Sequence, residues 1–253
     1  MRKIALALPL ILFLTGCSEL ESILKHAENT VLNEPVVKDQ LSNEEIIKGL
    51  KDALIHGTDT AVATLSAKGG YFENAALKIF LPQEAKPVFE KLEKIPILNS
   101  YIDDAILSIN RAAEDASPEA KPIFIDAIRT MTITEALSIL QGHDSAATIY
   151  LREKTYNSLY EAYLPKIQQS LSKEYIKGIS AENSYKRIID TYNKASLNGV
   201  LFDKIEGNSL SEHTTKKALD GLFIKVASEE QAIRENPIHR VTDILQRVFG
   251  WEF

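Results

Sequence analysis

At 253 residues the chain holds one large domain or two small ones, and it can bury a substantial core without metals or disulfides. Of its 29 basic residues, Arg2 and Lys3 fall in an apparent leader, which leaves 27 against 35 acidic ones, a net charge of −8. That balance argues against nucleic acid, which needs a concentrated basic face, and against electrostatic docking on anionic lipid. The single cysteine, Cys17, rules out an internal disulfide and a cysteine-built zinc site.

The chain opens with the basic pair Arg2-Lys3, and an apolar run follows from Ile4 to Leu14, interrupted only by Pro9. A membrane span needs ~20 apolar residues, so a run this short after a basic start reads as a secretion signal. It ends in Leu14-Thr15-Gly16-Cys17, which resembles a bacterial lipobox. The expectation is cleavage before Cys17, diacylglycerol on its thiol and an acyl chain such as palmitate on the new amino terminus. Three chains anchor firmly, since each buried CH₂ contributes ~0.8 kcal/mol. Ser18, where an aspartate would favour retention at the inner membrane, points by analogy to the outer membrane, facing the periplasm. The expected division is residues 1–16 as signal, 17–41 as lipidated cysteine and tether, and 42–253 as the domain.

In the tether, Leu20, Ile23, Leu24, Ala27, Val31 and Leu32 keep helical spacing, and Asn33-Glu34-Pro35 ends it. Ser42 and Glu45 have the spacing of a capping box, and apolar residues from Ile46 to Leu65 follow at three- and four-residue steps. Gly69-Gly70 stops that helix in a tight turn that lets Tyr71-Phe72 fold back on the core. The stretch 71–81 is irregular, with a short helix expected near 74–78. Pro82 and Pro96 bracket another short helix, and 98–115 form one with Ile102, Ala105, Ile106, Ile109 and Ala113 inward. Ser117-Pro118 predicts a serine-capped helix start, and Thr132 with Glu135 repeats the capping box. Gly142 closes that helix and Asp144 is the simplest cap for the next, a long helix over 145–172 bent at Pro165. Ser180 caps a helix to about Ala195, 197–208 is a loop, 210–235 is a long helix, and 238–249 is the last. No sustained period-two alternation or repeat is present, so the expected class is a single all-α, multi-helix bundle-like domain.

No catalytic motif stands out. The five histidines form no zinc-binding spacing, and Ser170 to Lys173 fits S-x-x-K only by letter, at a helix end. Three groups of polar residues invite chemistry. Arg111 and Glu114 share a helix face beside Ala112 and Ala113, which suits an exposed ion pair, a buried polar network or a ligand-binding arginine. A second group contains Asp144, Thr148, Arg152 and Lys154. The third contains Lys216, Lys217 and Asp220, then Glu230 and Arg234, where Lys216–Asp220 and Glu230–Arg234 have four-residue spacing. Gly221, costly by ~1 kcal/mol inside a helix, marks a close backbone crossing.

Several blocks, in order, resemble the bacterial domain of unknown function 4197 family: Gly69-Gly70-Tyr71-Phe72, Asn110 to Glu114, Pro118 to Phe124, Met131-Thr132, Ala146-Ala147-Thr148, Lys217 to Phe223 and Glu230 to Pro237. The likeness runs over about 44–249. It implies a secreted or lipid-anchored all-helical domain and carries no mechanism with it. Ser211 to Thr215 and Ile95-Pro96-Ile97 depart from the family pattern.

The functional expectation is a lipid-anchored, non-catalytic interaction or scaffold module of the cell envelope, with no cofactor and no metal, meeting the membrane through its lipid and an envelope protein through its domain. The alternative is a carrier for a small apolar or anionic ligand held between helices, where Arg111 could meet a carboxylate or phosphate. A third reading makes Glu114 and Asp220 the acid–base pair of a hydrolase.

Overall fold

The computed structural model describes residues 42–92, 96–176, 179–197, 199–201, 203–206 and 209–236. The leader, Cys17, the tether helix and the expected helix over 238–249 lie outside the described residues.

Ser42 opens the first helix, α1 (Asn43–Ser66), as its sequence demands: its hydroxyl accepts from the Glu45 amide at 3.2 Å, and the Glu45 carboxylate accepts from the Ser42 amide at 2.9 Å. Leu50, Ala53, Leu54, Ala61, Val62 and Leu65 are buried along one stripe. The chain then turns through Gly69, whose φ of 92° only glycine adopts without strain. Residues 71–78 form consecutive turns, not the short helix the sequence suggested near 74–78. Asn74 is the reason: its carbonyl accepts from the Leu77 and Lys78 amides and its side chain from Ala76, so local bonds satisfy the backbone instead of a helix ladder.

A 3₁₀ turn (Gln83–Ala85) leads into α2 (Lys86–Leu92), and α3 spans Pro96–Ala116. α3 passes almost without a break through a second 3₁₀ turn (Ser117–Glu119) into α4 (Ala120–Thr130). Ser117 is therefore not the helix cap its sequence context suggested. Its side chain is buried and its hydroxyl donates back to the Ala113 carbonyl at 2.9 Å, a bond available only because a helix precedes it. α5 (Ile133–Leu140) opens on the Thr132–Glu135 capping box, as expected. α6 (Ala146–Leu171) contains Pro165 without ending there. A two-residue-by-three-residue antiparallel hairpin, β1 (Glu174–Ile176) and β2 (Ile179–Ser180), follows, too short to register as alternation in the sequence. Ser180 then caps α7 (Ala181–Ala195), and Ser209 caps α8 (Leu210–Glu235).

The all-α class holds, with that one hairpin. The two 26-residue helices α6 and α8 pack most extensively on each other, α3 and α1 flank them, and α4 closes over α1 and α6. Thr148 meets Glu230 while Arg152 meets Asp220, so α6 and α8 run antiparallel. Between them, Phe223 packs edge-on against Phe124 and stacked against Tyr156, with ring centres 6.1 and 6.5 Å apart.

The crossing marked by Gly221 is with Tyr71. That ring is fully buried, its hydroxyl donates to the Ala218 carbonyl at 2.8 Å, and a Cβ at position 221 would lie 2.7 Å from its Cε1. An exposed helical Gly→Ala change gains ~1 kcal/mol. Here the pinned ring cannot give way, and Gly221→Ala is expected to cost ~1–3 kcal/mol instead. Thermal melts of the two proteins read the sign directly; a stabilised variant would show that the ring moves freely.

Candidate functional site

Three carboxylates singled out in the sequence, Glu114, Glu230 and Asp220, find partners in distant parts of the chain, and for the first two those partners include backbone amides.

Glu114 sits near the end of α3, 4% exposed. Its Oε1 accepts from the amides of Gly69, Tyr71 and Phe72 at 3.1, 3.2 and 3.3 Å, while Oε2 takes the Arg111 guanidinium. The turn after α1 thus forms a concave nest of donors, and a carboxylate from α3 fills it. Arg111 is only partly covered and lies 6.0 Å from the Phe72 ring centre. Of the three readings left open, the buried network is the one observed for Glu114. One helical turn earlier, Asn110 is fully buried and bonds both the amide and the carbonyl of Ile79, at 2.8 and 2.7 Å, so the same helix edge pins the segment 69–79 at two points.

Glu230 on α8 repeats the device. Its carboxylate accepts from the Ala147 and Thr148 amides at 3.0 and 2.8 Å and from the Thr148 hydroxyl at 2.7 Å. Arg234 holds it from the other side at 2.9 Å and reaches the Ile139 carbonyl at 3.0 Å. Glu230 therefore satisfies the unpaired first-turn amides of α6 and complements its dipole. This corrects the expected role of Asp144, which is exposed: α6 begins after Ser145, which makes no side-chain cap bond. A carboxylate from a neighbouring helix does the work that a local cap does elsewhere.

Asp220 does not pair with Lys216, as its spacing suggested, but with Lys217 at 3.6 Å and with Arg152 of α6 at 3.0 Å. Arg152 lies over the rings of Phe223 and Tyr156, 5.3 and 5.5 Å from their centres. All three ionic groups are 42–55% exposed, so this is a surface network worth ~1 kcal/mol or less per pair. Glu114 and Asp220 share no hydrogen-bond partner, one facing the nest and the other solvent, so the arrangement does not make them an acid–base pair.

Two anchoring groups escaped the sequence reading. Glu182 of α7 accepts from the Ser211 amide and hydroxyl at 2.8 and 2.6 Å, a third carboxylate serving another element's backbone. Asn193 clasps the amide and carbonyl of Ile205, both at 2.9 Å. A signal for Asn193 was present: it follows Tyr185 and Ile189 at four-residue steps on the buried stripe of α7. For Glu182 there was none.

Two concavities border these residues. One, lined by Leu50, Ala53, Leu54, Leu151, Ile233 and Arg234 among others, offers about 20 Å³, the room of a single water. The other is an open groove of about 550 Å³ between α4 and α6, lined by Ile123, Asp126, Thr130, Glu135, Tyr150, Lys154 and Ser158 among others. Lys154 and Glu135 face each other there at 2.9 Å. The Lys154 ammonium and the Thr132 amide and hydroxyl hold the Glu135 carboxyl down to about 2. Among the described residues, no group of three or more His, Cys, Asp or Glu could hold a metal, and no helix is long and apolar enough to cross a membrane.

His213, in the first turn of α8, bonds the Phe80 carbonyl at 2.9 Å. Burial holds its pKa below the usual 6.5, with Lys217 and Lys216 acting in the same direction and the Phe80 carbonyl and Glu84 against it. The unfolded chain therefore takes up this proton first, and stability falls as pH drops below about 6.5 towards the lower folded-state value. For Glu135 the loss comes in a separate window, between its ordinary 4.5 and about 2. Denaturant midpoints between pH 7.5 and 5 should fall in the native protein and stay flatter in His213→Gln; parallel curves would remove His213 from the pH response.

What fold and site define is an all-helical domain whose buried carboxylates brace its own backbone. The chain belongs to the family described as protein of unknown function (DUF4197), whose model matches residues 40–250. No curated protein and no solved structure matches it.

Proposed function

We propose that this is a lipid-anchored protein of the cell envelope, held through Cys17 at the outer membrane and facing the periplasm, whose helical domain works by binding another envelope protein and not by catalysis. The observation that carries the reading is the saturation of the buried carboxylates. Glu114 and Glu230 each meet three donors of the protein's own turns and helices plus an arginine. A catalytic acid or base needs a free position towards substrate, and these have given theirs to structure. The leader ending at Cys17 supports the anchor.

Growth with labelled palmitate tests the anchor: the mature protein should carry label and begin at Cys17, and an unlabelled chain or another amino terminus defeats it. Cross-linking in intact envelopes followed by purification tests the partner, and a return of nothing above background counts against it.

The groove between α4 and α6 favours a second reading, a carrier for a small anionic ligand, because its volume suits one and Lys154 lines it. It ranks second because Glu135 already neutralises that lysine. Native mass spectrometry of the protein should show a retained small molecule if this reading holds, and Lys154→Ala should lose it.

A further inference from the structure

The groove between α4 and α6 carries more negative than positive charge. Its charged lining residues are Asp126, Glu135 and Lys154. Asp126 is exposed and joins no ion pair among the described residues. Beside the lining, Glu153 and Glu161 stand exposed on α6 against Arg129 on α4. The exposed Thr130 hydroxyl donates to the Asp126 and Ala127 carbonyls at 2.9 and 3.2 Å, which leaves its oxygen free to accept from another donor. The wall already holds one ammonium. Lys154 Nζ lies 2.9 Å from the Glu135 carboxylate and 5.5 Å from the centre of the half-buried Tyr150 ring. An anion and an aromatic ring together are what recognise a cation. The Lys154 side chain is 52% exposed, and an ion pair in that setting is weak and readily exchanged.

We propose that this groove receives a lysine or arginine side chain of a basic segment of the protein partner, which takes the place of Lys154 on Glu135 and Tyr150 and finds a second anion in Asp126. The charge of the groove selects the sign of its occupant. An incoming anion meets two carboxylates and a lysine that is already paired, and an apolar ligand would take water from charged groups without repaying them. The rest of the chain selects a protein segment over a free amine. Beyond the leader, 35 acidic residues stand against 27 basic ones, so attraction extends past the groove and steers a segment that carries several cations. The groove's volume of about 550 Å³ also exceeds what one amine fills and admits a long side chain with the backbone that bears it. The inference rests on the protein-binding reading above and names the chemistry of the partner.

The test measures binding of a fluorescent tetra-arginine peptide to the full chain in nonionic detergent, with spermidine as a free polyamine for comparison. The peptide should bind, and bind several-fold more weakly as salt rises from ~0.05 to ~0.5 M. Lys154→Ala should tighten binding about fivefold, the scale of one exposed ion pair removed from competition. An anion site would lose its ligand by the same change. Asp126→Asn should weaken peptide binding by a similar factor, and Glu44→Gln, an exposed carboxylate on α1, should leave it unchanged. Glu135 also caps α5, so these variants carry the test without disturbing that helix start. No binding of the peptide, unchanged or weaker binding in Lys154→Ala, or equal weakening by Asp126→Asn and Glu44→Gln overturns the inference. Tighter binding of spermidine than of the peptide overturns the choice of a protein segment. In intact envelopes, a photo-reactive phenylalanine analogue in place of the exposed Ser158 should cross-link to a segment rich in Lys or Arg. A partner captured from other faces of the domain and never from position 158 sinks the groove and leaves the protein-binding reading standing. Peptide binding with the expected variant effects, but no partner captured from any position, sinks that reading and leaves the groove's preference for cations standing.

Discussion

Glu114→Ala should be among the most destabilising single changes in this domain. Removing the carboxylate leaves the amides of Gly69, Tyr71 and Phe72 facing a void and Arg111 without its anion. Breaking one side of a buried ion pair costs ~3–5 kcal/mol, and each stranded buried donor adds to the same penalty. Against a total stability of ~5–15 kcal/mol this is a large share. For a domain of this size it lowers the melting temperature by ~10 °C. Glu114→Gln keeps an acceptor for the nest and loses the charge, so it should cost about half as much. Arg111→Ala should cost least, because that side chain is 26% exposed and water can replace it. Urea titrations of the three variants test the order. If Arg111→Ala proves the worst, the ion pair and not the nest holds the turn.

Glu230→Ala should be comparable, by ~3–5 kcal/mol, and its damage should be local to the first turn of α6. The Ala147 and Thr148 amides lose their acceptor there, and Asp144 is not placed to replace it. Amide exchange at 147 and 148 should speed up well beyond that in the middle of α6. A double-mutant cycle with Thr148→Val should give a coupling of ~1–2 kcal/mol, because hydroxyl and carboxylate are in direct contact at 2.7 Å. Additive costs would mean that α6 starts equally well without the bond.

Both predictions depend on carboxylates that the sequence marked as interesting and could not assign. The motive for choosing Arg111, Glu114, Glu230 and Arg234 was spacing along one helix, and those local pairs do form. Their importance comes from what sits opposite. A turn 42–45 residues away supplies the partners of Glu114, and a helix start 82–83 residues away supplies those of Glu230. Nothing in a one-dimensional pattern encodes that meeting. The same blindness produced the wrong roles for Ser117 and Asp144. Each stands where a local cap would be sensible, but Ser117 is claimed by the helix before it and the job of Asp144 by α8.

Much of the short-range physics was legible. Ser42, Thr132 and Ser180 cap their helices because the acceptor lies within three residues of the donor it serves. The helix spans of α1, α6, α7 and α8 follow from apolar periodicity, and Gly221 announced a crossing because glycine inside a helix is otherwise a loss. By itself, then, the sequence determined the all-helical class, most helix boundaries and their caps, since each depends on groups a few residues apart. Only the tertiary structure decided that the buried glutamates brace turns and helix starts, that Asp220 belongs to Arg152, and that Lys154 meets Glu135 in a groove. Those outcomes depend on which surfaces meet when the apolar stripes are buried, and burial brings together residues whose separation along the chain carries no record of it.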